Sequence, residues 1–69
     1  MRYGDYIKQA RLEKGKSLLQ VEKETGISNQ NISRWERNEV LPNIDFCVKL
    51  ARCYGVTLEE LIGLNENQE

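Results

Sequence analysis

Histidine is absent from this chain of 69 residues, and proline, tryptophan, phenylalanine and methionine occur once each. Without histidine, no ordinary serine or cysteine triad can be built, and two cysteines cannot supply the four ligands of a structural zinc site. The sequence also contains no glycine-rich phosphate-binding loop. We therefore expect a protein that is not an enzyme and that binds neither a metal nor a cofactor.

Long apolar runs are missing as well, since no more than three apolar residues follow one another. A membrane-spanning helix needs about 20 mostly apolar residues, and residues 1–10 show no apolar run that resembles a signal peptide. Cys47 and Cys53 lie six residues apart in one predicted helix. That spacing separates them by about 9 Å along the axis and puts them on different faces, which is too far for a disulfide. We expect free thiols and a cytoplasmic protein that makes no membrane contact.

Charge is nearly balanced overall but unevenly distributed. The formal net charge is −1; residues 1–54 hold ten basic and seven acidic side chains, whereas residues 55–69 hold four acids and no base. This division suggests a basic working surface followed by an acidic end, with chance segregation in a short chain as the alternative. The apolar content of 39%, with five glycines, fits one small helical domain better than a disordered chain.

Cap residues divide the chain into five short helices, and no stretch alternates like a strand. A Ser, Thr, Asp or Asn precedes each helix and a Gly or Asn follows most of them. The predicted N-caps are Asp5, Ser17, Ser28, Asn43 and Thr57, and the predicted ends are Gly15, Gly26, Asn38, Gly55 and Ile62. Gln20 and Glu60 follow Ser17 and Thr57 at the spacing of a capping box. The sequence therefore predicts an all-α, compact five-helix bundle over residues 1–64 and a frayed acidic tail over residues 65–69.

The predicted core consists of apolar residues that recur on the inward faces of these helices. It contains Ile7, Ala10, Val21, Ile27, Ile32, Trp35, Ile44, Cys47, Leu50, Ala51, Tyr54, Val56, Leu58 and Leu61. Trp35 could instead stack on nucleic acid, but its place beside Ile32 favours the core. A core of this size is too small for a ligand cavity of a few hundred Å³, so we expect no small-molecule ligand.

The third helix comes from the stretch "SNQNISRWERN", residues 28–38. On a wheel of about 100° per residue, most of its polar side chains share one face, opposite Ile32 and Trp35. Asn and Ser are poor formers of helix interiors, yet amides can pair with adenine, and guanidiniums with guanine, through two hydrogen bonds each. The pattern indicates a DNA-reading face, with an ordinary polar surface as the alternative. Its members are Asn29, Gln30, Ser33, Arg34 and Arg37.

The second and third helices together carry a known spacing. The positions of Val21, Gly26, Ile27, Ile32 and Trp35 are those of a helix-turn-helix. The chain here resembles the Cro/cI-type, or XRE-family, helix-turn-helix transcriptional regulators from residue 4 to about residue 62. The resemblance rests on "ARLEKGKSLLQVEKETGISNQNISRWERNEVLPN" followed by "LARCYGVTLEELIG". It implies a bundle of the phage-repressor DNA-binding type, with the helix-turn-helix in helices two and three.

The resemblance also implies roles for individual residues. Early residues of the third helix would enter the major groove and read bases, and others would touch the DNA backbone. The base-reading residues would be Asn29, Gln30, Ser33 and Arg34. The backbone contacts would come from Ser17, Ser28, Arg37 and Asn38, with added attraction from Lys16 and Lys23. Arg11 and Glu36 match a pair that in this family forms a salt bridge between the first helix and the end of the third, so both would belong to the scaffold.

Two of the departures from the family pattern bear on what the second helix contacts. Leu18 stands where a Gln often braces the phosphate and the reading helix. Glu22 stands where a small residue, usually Ala, lets the second and third helices approach closely. Neither departure removes the reading face, but both change what the second helix can contact.

These features predict a sequence-specific double-stranded DNA-binding transcriptional regulator. It would act as a homodimeric repressor that reads a palindromic operator through the major groove. The alternative is a protein-interaction module of the same fold, of the antitoxin or anti-repressor type, which the acidic end and the small net charge favour. The dimer surface is predicted at residues 56–64, because Leu58, Leu61, Ile62 and Leu64 are more apolar than one short helix needs.

Overall fold

Five helices make up residues 2–64, the part of the chain that the computed structural model describes. They are α1 (Tyr3–Glu13), α2 (Leu18–Thr25), α3 (Asn29–Glu36), α4 (Ile44–Tyr54) and α5 (Leu58–Ile62). No residue in this range adopts strand structure, which confirms the all-α prediction. The frayed tail predicted at residues 65–69 lies outside the described residues.

Side-chain caps begin four of the helices at the predicted positions. Each cap oxygen accepts a main-chain N–H of the first helical turn at 2.9–3.2 Å, and the residues concerned are Ser17, Ser28, Asn43 and Thr57. The capping box predicted at α5 is formed, because the N–H of Thr57 also donates to Glu60 Oε1 at 2.9 Å. These bonds satisfy amide donors that have no partner within a helix.

Two details of the predicted caps are wrong. Helix α1 begins at Tyr3 rather than after Asp5, because the carboxylate of Asp5 accepts the N–H of Arg2 at 3.1 Å from inside the first turn. At α2, the side chain of Gln20 donates to Glu24 Oε2 at 2.9 Å instead of reaching back to the cap residue, so no capping box forms there.

The core is close to the predicted one. All but three of the predicted residues are buried, with at most 7% of their surface exposed. Val56 and Leu58 are half-buried and pack against the edge of the core. The prediction for Ile44 is wrong: this residue is 66% exposed, because it is the first residue of α4 and lies one turn before the buried stripe of that helix begins. Phe46, which was not predicted, packs against Trp35 with the two ring centroids 5.2 Å apart.

The start of α1 is fastened to the end of α3. Gly4 lies so close to α3 that an added Cβ would overlap the main-chain oxygen of Trp35 and stand 2.8 Å from that of Glu36. The N–H of Gly4 donates to Asn38 Oδ1 at 2.8 Å, and Asn38 Nδ2 donates to Asp5 Oδ1 at 3.2 Å. Asn38 has a φ of 63°, in the left-handed region predicted for the residue that ends this helix.

Both cysteines carry free thiols, as predicted; Cys47 is buried and Cys53 is partly exposed. Within residues 2–64, no helix has the combined length and apolar character needed to cross a bilayer. In the same range, no group of three or more acidic or cysteine side chains could hold a metal ion.

Candidate nucleic-acid interface

The turn between α2 and α3 is held by several local bonds. Helix α2 ends at Gly26, whose φ of 78° reverses the chain, and the next residue, Ile27, is 3% exposed and anchors the turn in the core. Thr25 Oγ1 donates to the main-chain oxygen of Val21 at 2.7 Å and accepts the N–H of Ile27 at 3.1 Å. Ser28 then caps α3. Because these bonds constrain the turn on both sides, the fold fixes the orientation of α3 relative to α2.

Helix α3 has one buried face and one exposed face. Ile32 and Trp35 point into the core, with 0% and 5% of their surface exposed. The opposite face lines a shallow groove of about 300 Å³, whose walls are formed by Leu18, Asn29, Gln30, Ser33, Arg34 and Arg37. The four predicted base-reading residues are thus brought together in one groove, beside Arg37. Their contacts with bases stay predictions.

Leu18 gives this groove an apolar wall on its α2 side. Its side chain is half-buried and packs against the core while lining the groove. An apolar side chain cannot supply the polar brace that the resemblance leads one to expect here. The neighbouring Leu19 is 63% exposed, but it is apolar too and cannot supply that brace either.

Glu22 supplies a contact that the sequence did not predict. Its Oε1 accepts the main-chain N–H of Asn29 at 2.8 Å and the side-chain Nδ2 of Asn29 at 2.5 Å. These bonds, the main-chain one foremost, lower the pKa of Glu22 below its ordinary value. Asn29 is the first residue of α3, so the carboxylate also meets the positive end of the helix dipole. The available signal was a charged residue at a position that the family keeps small.

Three of the predicted DNA-backbone residues are exposed at helix starts or on α2. The hydroxyls of Ser17 and Ser28 accept amides of their own helices, and each keeps a proton that it can donate outward. The starts of α2 and α3 add the partial positive charge that favours phosphate. Lys23 is exposed on α2. Phosphate contacts by these residues stay predictions.

Two other predicted backbone residues already have partners within the fold. Lys16 Nζ donates to Glu24 Oε1 at 2.7 Å and to the main-chain oxygen of Cys53 at 2.9 Å. The bond with Glu24 raises the pKa of Lys16, and it is the main reason that the pKa of Glu24 falls to about 2. The main-chain N–H of Asn38 donates to the main-chain oxygen of Trp35 at 3.0 Å, and its side chain bonds to α1. A phosphate contact by either residue would have to share or break these bonds.

A buried salt bridge joins α1 to the end of α3. Arg11 Nε and Nη2 donate to the two carboxylate oxygens of Glu36 at 2.7 and 2.9 Å. Both residues are buried, with 8% and 7% of their surface exposed. The hydrogen bond with Glu36 is the main reason that the pKa of Arg11 is raised. The structure therefore shows this pair buried between α1 and α3, as expected of scaffold residues.

An exposed salt bridge lies directly after it in the chain. Arg37 Nε donates to Glu39 Oε2 at 2.7 Å, and the same guanidinium also bonds to Ser33 Oγ. Pairing raises the pKa of Arg37 and lowers that of Glu39. Arg37 therefore lines the groove with its positive charge partly offset by Glu39, and both side chains are exposed to solvent.

Comparison with known proteins agrees with this geometry. The sequence profile of the helix-turn-helix family matches residues 7–61 of the chain. The HTH-type transcriptional regulator ImmR of Bacillus subtilis (strain 168) is 32% identical over 66 residues, which covers 96% of this chain and 52% of ImmR. The chain thus spans about half the length of that relative.

Two solved structures share the arrangement of helices. The P22 c2 repressor, in complex with a synthetic operator, has a TM-score of 0.82 and 27% identity, and the match covers 90% of this chain and 94% of that one. The SinR protein, in complex with the SinI protein, has a TM-score of 0.83 and 31% identity, covering 96% of this chain and 65% of that one. With the family profile spanning most of the chain and the fold shared with a repressor, the chain belongs to the XRE-type helix-turn-helix family of transcriptional regulators, which are DNA-binding proteins and not enzymes.

Proposed function

We propose that this chain is a sequence-specific double-stranded DNA-binding regulator that inserts α3 into the major groove and represses transcription from the site it occupies. The supporting observation is the convergence of Asn29, Gln30, Ser33 and Arg34 on one exposed groove. Gln30 and Arg34 can each make two hydrogen bonds to one base, and Ser33 can bond to a base or a phosphate. The structure of the P22 c2 repressor, which shares the fold, was determined in complex with a synthetic operator.

DNA-backbone contacts would come from both sides of that groove. Ser17, Ser28 and Arg37 lie at the start of α2, the start of α3 and the end of α3. Lys23 is exposed on α2. Hydroxyl groups, helix N-termini and a guanidinium are all suited to phosphate oxygens. Such contacts position the protein on DNA, while the groove residues select the sequence.

The regulator would bind as a homodimer, with one copy of α3 in each half-site of a palindrome. A single small domain buries little surface, so two-fold pairing would add affinity and double the length of sequence read. The predicted dimer surface at residues 56–64 exposes less apolar area than its sequence indicated. Leu61 is fully buried, and Leu58 and Ile62 are half-buried against the core. Leu64, 39% exposed, remains the most accessible of its leucines.

Selection from a random double-stranded DNA library, at about physiological salt, tests this function. The expected result is an enriched palindrome whose half-site centres lie about 34–36 Å apart. The matched control is the double variant Gln30→Ala/Arg34→Ala, which leaves every buried residue in place and should enrich no such palindrome. A reporter with the selected site overlapping a promoter then tests repression. No enrichment by the wild-type chain, with weak salt-labile binding alone, would refute DNA reading.

A protein-interaction module is the second candidate, and a separate surface supports it. Tyr3, Val40 and Leu41 are 46%, 50% and 68% exposed and line one open depression of about 420 Å³. Surface apolar groups gathered in one place are typical of protein-binding sites. SinR, a structural relative, was determined in complex with the SinI protein. Strong, sequence-dependent DNA binding by the chain alone would argue against this candidate as the primary role.

A further inference from the structure

The pairing of Glu22 with Asn29 has a chemical consequence for the reading groove. One oxygen, Glu22 Oε1, accepts both the main-chain N–H and the side-chain Nδ2 of Asn29, at 2.8 and 2.5 Å. An ionised carboxylate can only accept hydrogen bonds, so the carboxamide of Asn29 must turn its nitrogen toward Glu22. The carboxamide oxygen, Oδ1, lies on the other arm of the planar group. With its nitrogen bonded to Glu22, Asn29 keeps this oxygen for a further partner, and Asn29 lines the groove.

Without such a partner, an asparagine side chain has no fixed polarity. Its last torsion is broad and roughly two-fold, so the oxygen and the nitrogen exchange places at small cost. Such a residue can serve as donor, as acceptor, or as both toward adenine. Leu18, which lines the same groove, is apolar and cannot choose between these orientations. In this chain the choice is made by Glu22.

We propose that Glu22 is a positioning residue that holds Asn29 as an acceptor and thereby selects a base that presents an amino group in the major groove, cytosine or adenine, opposite the start of α3. This inference rests on the proposed DNA-reading function. Cytosine N4 and adenine N6 are major-groove donors, whereas guanine and thymine present only acceptors on their major-groove edges. Those acceptors would face Asn29 Oδ1, so guanine and thymine are disfavoured there.

The first experiment examines the pair without DNA. In wild-type protein the side-chain NH₂ proton of Asn29 that bonds to Glu22 Oε1 should resonate downfield of its usual position, and this shift should shrink when Glu22 is titrated with acid. In Glu22→Ala the downfield shift and the response to acid should both disappear. Alanine is a safe replacement because the family usually carries a small residue at this position. Asn29 resonances that are the same in both proteins, with no response to acid, would overturn the inference.

The second experiment reads out the base preference. Affinities are measured for the selected operator and for variants carrying each of the four bases at the position opposite Asn29. Wild-type protein should favour cytosine or adenine over guanine and thymine by about tenfold or more. Glu22→Ala should bring the four bases to within about twofold, with preferences at the positions read by Gln30 and Arg34 unchanged. In an Asn29→Ala background, the further change Glu22→Ala should leave the remaining profile unaltered if Glu22 acts through Asn29.

The control variant is Glu13→Ala, which removes an equal charge from the exposed surface of α1. It measures the general gain in DNA affinity that follows the loss of one negative charge, and its base profile should match the wild type. If wild-type protein selects an operator but Glu22→Ala keeps the same profile at every position, the inference fails and the proposed function stands. If wild-type protein selects no operator at all, the proposed function itself fails.

Discussion

Two arginine–glutamate pairs near the end of α3 have the same bond length and opposite surroundings. The shortest contact is 2.7 Å in both, between Arg11 Nε and Glu36 Oε2 and between Arg37 Nε and Glu39 Oε2. The side chains of the first pair are 9% and 5% exposed, and those of the second are 55% and 51% exposed. Glu36 and Arg37 are consecutive, so one step along the chain leads from the interior to solvent.

Burial, rather than distance, decides whether a charged residue can be recruited for binding. Water and salt screen the exposed pair, so a phosphate oxygen can replace Glu39 at little cost. Arg11, in contrast, also donates to the main-chain oxygen of Lys16 at 2.8 Å. Removing Glu36 would leave a charge stranded in the interior. Of these adjacent residues, Glu36 is therefore committed to the fold, whereas Arg37 is exposed where a ligand could reach it.

Breaking the buried pair should have the largest effect. Arg11→Ala is expected to lower the free energy of unfolding by about 3–5 kcal/mol, because Glu36 would be buried without a partner. A loss of this size approaches the whole stability of a small domain. Urea unfolding followed by circular dichroism measures it. The double variant Arg11→Met/Glu36→Leu, which removes both charges, should lose less, and a single variant that loses under about 1 kcal/mol would contradict the scaffold role.

Changing the exposed face should leave stability intact and weaken recognition. Gln30→Ala or Arg34→Ala should each cost about 1–3 kcal/mol of binding at one base pair and relax the specificity there. Because both side chains are exposed, the free energy of unfolding should stay within about 0.5 kcal/mol of the wild type. Competition binding with operators changed one base pair at a time measures the first quantity. Variants that bind every sequence as the wild type does would show that these residues are not readers.

Removing the exposed arginine should weaken binding evenly. Arg37→Ala should reduce affinity by a similar factor for operator and random DNA, since a phosphate contact carries no sequence information. The slope of log affinity against log salt should become shallower by about one. Titrations at several salt concentrations, with both duplexes, measure this change. A loss confined to one base pair would instead identify Arg37 as a base reader.

Releasing the exposed arginine from its partner should have a smaller effect of opposite sign. Glu39→Gln removes the carboxylate that competes with phosphate for Arg37, so affinity should rise modestly for operator and random DNA alike. Fluorescence anisotropy at low and high salt detects the gain, which should vanish at high salt. The control is Glu13→Gln, since Glu13 bonds to the side chain of Gln9 and not to an arginine. Equal gains in both variants would point to overall charge alone.

The pair of Lys16 and Glu24 is intermediate, with side chains 23% and 36% exposed, and its smaller effect should depend on pH. Pairing with Lys16 lowers the pKa of Glu24 from 4.5 to about 2. A carboxylate whose pKa is lower in the folded state stabilises the fold at pH values above its unfolded pKa. That stabilisation is lost as the pH falls through the folded pKa. The stability difference between wild type and Glu24→Gln should therefore be constant above about pH 5 and shrink between pH 4.5 and pH 2. An unchanged difference at about pH 3 would contradict this assignment.

Local chemistry accounts for the features that the sequence predicted correctly. The caps at Ser28 and Asn43 depend on residues within one helical turn, so their spacing is visible in the sequence. The buried face through Ile32 and Trp35 follows from helical periodicity. The same periodicity brought the polar residues of α3 onto one groove. Each of these predictions needed no knowledge of how the helices pack.

The features that sequence reasoning missed depend on contacts between distant residues. Lys16 meets the main-chain oxygen of Cys53, 37 positions away. The contact of Glu22 with Asn29 crosses the turn between two helices and has no spacing rule. Ile44 has the right spacing for the core, but it lies one turn before the buried stripe of α4 begins and is exposed. Tertiary geometry supplies this information, and a single sequence read by itself does not contain it in readable form.

The contact made by Gly4 limits how α3 could be transferred to another protein. Because α1 touches the main-chain oxygens of Trp35 and Glu36 without a side chain, any larger residue at position 4 would push the end of α3 outward. A graft of α3 into another scaffold would therefore need a glycine at the matching site and a counterpart of Asn38 to receive its N–H. Redesign of positions 29, 30, 33, 34 and 37 changes none of the residues that Gly4 contacts. The exposed face of α3 can thus be redesigned without changing the packing between α1 and the end of α3.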